Sequence, residues 1–139
     1  MAKDPKLERL HATPLFSGCD RKELKDLATA IDTVDVETGQ VLFRQGSVAH
    51  EAFVIESGTA VVSIDGEIVA EIPEGEMIGE IGLLTRSPST ATVTAKTPMS
   101  LLVIPHQRFG QILADTPGLG TAIAKELAMR LQAMDARLH

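Results

Sequence analysis

Apolar positions recur along the chain with two rhythms, one helical and one strand-like, and the helical one appears at both ends. Near the start, Leu24, Leu27, Ala28 and Ile31 are spaced by three or four residues, which places them on one face of a helix. Asp20 followed by Glu23 reads as a capping box, each side chain able to satisfy an orphan amide at the helix start. Together they predict a helix over about 20–31. A shorter helical piece through Leu7 and Leu10 precedes it and ends near Pro14. From 32 to 105 the texture changes to short runs rich in Val, Ile, Thr and Phe: "QVLFR", "AFVIES", "TAVVSI", "EIVAEI", "TATVTA" and "SLLVIP". Each fits one strand. Asp65-Gly66, between "VVSI" and "EIVAEI", has the chemistry of a two-residue hairpin turn, because both positions tolerate positive φ. After Pro105 the helical period returns. Phe109, Ile112 and Leu113 share a face over about 106–114. Asp115 or Thr116 can cap a last helix over about 117–137, with Pro117 in its first turn. Leu119, Ile123, Leu127, Leu131, Met134 and Leu138 form one stripe along it, and Glu126 can pair with Arg130 at i,i+4.

Turns this close together, with no long helix between strands, imply antiparallel pairing. The expected fold is mainly β with flanking helices. It is an antiparallel jelly-roll-type β-barrel over about 32–105, with an N-terminal helix and a C-terminal helical pair, in one domain over 1–139. A chain of 139 residues suits one core. With four Phe and no Trp or Tyr, that core must be mostly aliphatic, and base stacking on aromatic platforms has almost nothing to work with. A net charge of -6 without a Lys/Arg cluster argues against a nucleic-acid partner and, more weakly, against an anionic membrane. The single Cys19 excludes an internal disulfide and a multi-cysteine zinc site. The histidines at 11, 50, 106 and 139 have no paired spacing, so neither a metal nor a metalloenzyme is expected. No Ser/His/Asp constellation can be argued from spacing, and no enzyme activity or cofactor is expected. "MAKDPKLERL" lacks an apolar signal core and the longest aliphatic run is about as short as "LLVI", from which a cytoplasmic setting is expected.

One stretch interrupts the β pattern. "GEIGLL", Gly79 to Leu84, suits neither strand alternation nor a tight hairpin. Glycines at 79 and 82 let backbone approach a ligand closely. A helical turn starting near Glu80 would aim free amides outward as an anion site. A carboxylate beside an anion site makes sense if it accepts from a neighbouring hydroxyl such as a ribose 2′-OH. Thr90 adds a hydroxyl where the next strand begins. Anion and sugar hydroxyl together point to a nucleotide.

"GEIGLLTRSPSTATVTAKT" resembles the phosphate-binding cassette of cyclic nucleotide-binding domains, the family of bacterial catabolite activator proteins, protein kinase A regulatory subunits and nucleotide-gated channels. "PLFSGCDRKELKDLA", "GQVLFRQGSVAHEAFVIESGTAVV" and "PHQRFGQILADTP" resemble the family's entry helix, first strands and the lead into its last helix, in that order. The resemblance implies that Gly79 and Glu80 meet the ribose, with Glu80 accepting the 2′-OH. Ile81 follows in the same turn. The amides near Gly82 and Leu83, and those of Thr90 and Ala91, would face the cyclic phosphate. The family's cassette arginine, two positions before the alanine that matches Ala91, is here Ser89. A guanidinium gives phosphate charge-assisted bonds of roughly 1.5–3 kcal/mol each, so its loss implies affinity lower by about two orders of magnitude. Arg86 is the nearest replacement cation, with Arg44 and Lys96 behind it. The resemblance further implies a homodimer through the last helix, with Met129, Leu131 and Met134 available as a lid over the base. The expected function is a regulatory module sensing cAMP or cGMP with weakened affinity. The alternative is a degenerate fold acting as a ligand-independent dimerisation or interaction module. Neither the preferred base nor the downstream effector is legible.

Overall fold

The computed structural model describes the backbone of residues 5–138 and the side chains of 6–13 and 15–132. Two helices open the chain, α1 (Pro5–Ala12) and α2 (Arg21–Ala30), with a 3-10 turn at Pro14–Phe16 between them. The strands follow: β1 (Asp32–Val36), β2 (Val41–Phe43), β3 (Glu51–Ser57), β4 (Ala60–Ile64), β5 (Glu67–Ile72) and β6 (Met77–Ile78). A short helix, α3 (Glu80–Thr85), then precedes β7 (Thr92–Ala95) and β8 (Met99–Pro105), and the chain closes with α4 (His106–Asp115) and α5 (Pro117–Leu138).

All pairings are antiparallel, in two four-stranded sheets ordered β1-β8-β3-β6 and β2-β7-β4-β5. Phe53, Ile55 and Leu101 of the first sheet meet Phe43, Ala60 and Val93 of the second in an inner core. Their neighbours on the same strands, Ala52, Val54, Leu102 and Ile104, turn the other way and pack with Leu10, Phe16, Leu24, Leu27, Phe109, Ile112 and Leu119 of the helices. The central strands β3 and β8 are thus buried on both faces, which is why "AFVI" and "LLVI" are unbroken apolar runs rather than alternating ones. The second sheet ends in β5, whose outer edge is open and whose Ile68 and Val69 are exposed.

Local chemistry accounts for the ends of the elements. Asp20 caps α2: its Oδ1 accepts from the Glu23 amide at 2.8 Å, and Glu23 Oε1 accepts from the Asp20 amide at 3.2 Å. Asp65 and Gly66 take φ of 53° and 84°, the left-handed pair that a tight β4–β5 hairpin requires. The Gln45 side chain clamps that turn, accepting from the Asp65 amide and donating to its carboxylate. Arg9 ties α1 to β3 through Glu56, its Nε 2.9 Å from Oε2.

Four sequence expectations need correction. Two strands, β1 and β6, were not among the runs: β1 buries only Val36 and so lacks a strand-like apolar pattern, and β6 is two residues long. The Thr116 hydroxyl does not cap α5. It is buried without a partner, while the Thr116 carbonyl accepts from the Leu119 and Gly120 amides. The Asp115 carboxylate is taken by Gln111 of its own helix. The α5 stripe is core at Leu119 and Ile123, half-buried at Leu127, and in solvent at Leu131, 65% exposed. Met134 and Leu138 lie outside the described side chains. Cys19 is free and buried, and burial with the carboxylates of Glu23 and Asp20 pushes its thiol up to about 11, an inert state.

Candidate functional site

The site begins where β6 leaves the first sheet. Met77 and Ile78 pair with Val54 and Phe53 and are buried. Gly79 then turns the chain into α3 with φ of 90°. A Cβ there would stand 2.4 Å from Cζ of Phe43, so only glycine lets the backbone cross that ring. The ring itself is braced by Phe53, centroids 5.4 Å apart. Leu83 anchors α3 in the helix-side core. Glu80, three residues earlier on the same face, is thereby drawn inward until it is only 2% exposed.

α3 ends at Arg86, whose φ is 54° and whose amide returns to the Gly82 carbonyl at 2.9 Å. The segment that follows is zipped to the chain before β3. Val48 bridges Pro88, Ser89 NH donates to the Ser47 carbonyl at 2.9 Å, and Gly46 NH donates to the Ser89 carbonyl at 2.8 Å. Gln45 NH adds a bond to Thr92 Oγ1 at 3.0 Å.

Between these two segments lies an open cavity of about 570 Å³. Gly79, Glu80, Ile81, Gly82, Ser89, Thr90 and Ala91 all line it, with Phe43 beneath and Ala70, Glu71 and Ile72 of β5 beside it. Seven of the nine site residues expected from sequence are therefore brought together. Leu83 and Arg86 are not on the wall. Leu83 is turned into the core, and Arg86 directs Nη1 to the Ala49 carbonyl at 2.8 Å. Arg44 and Lys96 are also absent from the wall, and Lys96 pairs with Glu71. The Ser89 hydroxyl is spent within its own turn, donating to the Ala91 carbonyl at 2.6 Å and accepting from the Ala91 amide at 3.4 Å.

The residue that sequence reasoning missed is Arg130. Among the described residues lining the cavity it is the one cation, and it comes from α5. Nη1 donates to Glu80 Oε1 at 2.7 Å, while Nη2 donates to the Met77 carbonyl at 3.0 Å and to Glu126 Oε1 at 2.6 Å. The i,i+4 pairing with Glu126 was legible; the reach to Glu80, fifty positions away, had no local signal. Met129 and Leu131, expected as lid residues, are 68% and 65% exposed and do not line the cavity, and Met134 lies outside the described side chains. Burial raises the proton affinity of Glu126. Arg130 opposes that shift, and the carboxylates of Glu80 and Glu76 add to it. The site is thus an acidic cluster gathered around one guanidinium, in a cavity that a neutral, hydroxyl-rich turn also lines. Among the described residues, no helix is long and apolar enough to cross a membrane.

Comparison with known proteins bears on the family and the fold. A family model described as "Cyclic nucleotide-binding domain" matches residues 33–116. The chain is 41% identical over 128 residues to the acetyltransferase Pat of Mycolicibacterium smegmatis, covering 89% of this chain and 38% of that protein. A solved cAMP-binding acyltransferase from Mycobacterium smegmatis superposes with a TM-score of 0.79 at 36% identity, covering 92% of this chain and 41% of that one. The catabolite activator protein of Thermus thermophilus superposes with a TM-score of 0.80 at 24% identity, over 90% of this chain and 61% of that one, a likeness of fold. The chain spans between 21% and 38% of the length of the curated relatives it matches.

Proposed function

The chain belongs to the cyclic nucleotide-binding domain family, and from that premise we propose that it is a non-catalytic regulatory module. Its cavity takes cAMP or cGMP with weakened affinity, and α5 carries the response. The observation that carries this reading is the Glu80 carboxylate, which is buried on the cavity wall and bonded to Arg130 of α5. A carboxylate offers about four acceptor sites on two oxygens. A ribose 2′-OH and the α5 guanidinium therefore meet on one group. Ligand arrival changes what Arg130 gains from staying, and the position of α5 shifts with it. The ligand can bias that equilibrium only by its differential affinity for the two positions of α5. Weak affinity follows from the Ser89 turn, which offers the phosphate no guanidinium of its own and whose hydroxyl is spent on Ala91. The exposed Met129 and Leu131 of α5 favour burial against a second copy, so the module acts as a homodimer through that helix. The acidic balance gives nucleic acid no surface, and the free buried cysteine accords with a cytoplasmic setting.

A second reading has its own support. Ser89 closes on Ala91 and satisfies the turn without any ligand, as a ligand-independent interaction module would require. Titration calorimetry with cAMP and cGMP separates the two. Saturable heat at micromolar ligand, reduced about ten-fold or more in affinity for 2′-deoxy-cAMP, supports the sensor. No heat at millimolar ligand supports the interaction module.

A further inference from the structure

Arg130 has hydrogen-bonding capacity that the ligand-free arrangement does not use. A guanidinium carries five N–H donors. Three are committed, to Glu80, the Met77 carbonyl and Glu126. One Nη1 hydrogen and the Nε hydrogen have no acceptor among the described residues, and the side chain is 39% exposed on the cavity wall. Its neighbours make its charge matter. Glu80 on α3, Glu76 ahead of β6 and Glu126 on α5 all face this corner, and Glu71 of β5, paired with Lys96, also lines the cavity. An incoming monoanion meets a field set by carboxylates, and among the described lining residues Arg130 is the single positive group. Ser89 supplies no charge, and its hydroxyl hydrogen is already given to Ala91.

We infer that Arg130 is the phosphate's positive partner in this chain, reaching from α5 to do what no residue of the cassette does, with Glu126 as the positioning residue that steadies it. This rests on the reading of the cavity as a cyclic-nucleotide site. It differs from a merely structural role for Arg130, in which the guanidinium would hold Glu80 and never meet ligand. In the inferred arrangement Nη2 stays on Glu126, the ligand hydroxyl shares Glu80, and an Nη1 hydrogen turns to a phosphate oxygen. Charge recognition and helix movement then reside in one side chain: the phosphate is neutralised only when α5 is in place.

The test compares two compounds that share base and ribose and differ in the phosphate. Affinities of cAMP and adenosine are measured for the full chain and for Arg130→Gln and Arg130→Lys. The expected result is a cAMP-to-adenosine affinity ratio that falls at least about ten-fold in Arg130→Gln and less in Arg130→Lys, as loss of one charge-assisted bond predicts. The ratio cancels any indirect effect through Glu80, which touches both compounds alike. Adding Ser89→Arg to Arg130→Gln should restore the ratio. A ratio unchanged in both variants, with both compounds bound, overturns this inference alone. Silence of the wild-type chain toward both compounds overturns the cyclic-nucleotide reading and this inference with it.

Discussion

The two ends of the cavity are built on opposite plans. At the Gly79–Glu80 end, groups far apart in sequence converge: the Phe43 ring under Gly79, Leu83 in the helix-side core, and Arg130 from α5. At the Ser89–Ala91 end, the polar groups satisfy one another within a few residues or through the neighbouring 45–48 segment. The difference explains how one end can keep its equipment while the other loses its charge. Removing Glu80 would leave Arg130 without its cavity-side acceptor, a costly orphan. A serine at position 89 orphans nothing, because its hydroxyl finds an acceptor two residues away. A side chain held by long-range packing resists piecemeal change, whereas one whose hydroxyl is satisfied two residues away can stand where a cation would.

The sharpest way to break that comparison is at Gly79. Gly79→Val adds a branched Cβ where one would stand 2.4 Å from the Phe43 ring, at a φ of 90°. Overpacking and left-handed strain each cost about 1–3 kcal/mol, so a loss of about 2–6 kcal/mol is expected in urea unfolding. Ser89→Ala at the other end should lose about 1 kcal/mol or less, the worth of one neutral hydrogen bond. Equal losses would mean that the two ends are not built differently. Next in size is a gain. Ser89→Arg should raise cAMP affinity about ten-fold or more by calorimetry, because the turn then presents the charge it lacks. No gain would show that the phosphate end has lost more than a cation.

The same contrast decides what the sequence made legible. Short-range devices were readable because their chemistry is complete within a few residues: the Asp20–Glu23 box, the Asp65-Gly66 hairpin, and Gly79-Glu80 opening a helix amid strands. Arg130 was not, since Glu126 at i,i+4 already accounts for an arginine there and no local pattern points fifty residues back. Periodicity told which face of α5 is apolar but not where its neighbours stop, so Leu131 was assigned to a stripe that leaves the core after Leu127. β1 escaped notice because a strand that buries one residue of five carries almost no pattern.

A smaller effect tests the acidic corner around Arg130. Burial, with Glu80 and Glu76, holds the Glu126 carboxyl above its ordinary 4.5 despite the pull of Arg130. The folded chain therefore keeps that proton at pH values where the unfolded chain has released it. Stability from this group is present below the ordinary value and is lost as pH rises through the raised one. Glu126→Gln cannot ionise, so its stability relative to wild type should improve as pH rises from 4 toward 7, read as the difference between paired denaturant curves. A difference that is flat or moves the other way would mean that the carboxylates do not share one field.

The smallest expected effect separates the two cations that sequence and structure put forward. Arg86 is the nearest arginine to the phosphate end in sequence, yet its guanidinium is bonded to the Ala49 carbonyl and the residue is exposed. Its left-handed φ of 54° belongs to the α3 C-cap, where the amide returning to Gly82 fixes the backbone whatever the side chain. Arg86→Ala keeps that conformation and loses only the exposed hydrogen bond, so about 0.5–1 kcal/mol of stability should go. Arg86→Gly loses the same bond but relieves roughly 1 kcal/mol of left-handed strain, so it should sit close to wild type. Neither change should move cAMP affinity by more than about two-fold, because a side chain bonded to Ala49 leaves the phosphate field as it was. A ten-fold loss in both would mean that Arg86 leaves Ala49 when ligand arrives. The Ser89 turn would then have its own cation after all, and the asymmetry between the two ends would belong to the ligand-free state alone.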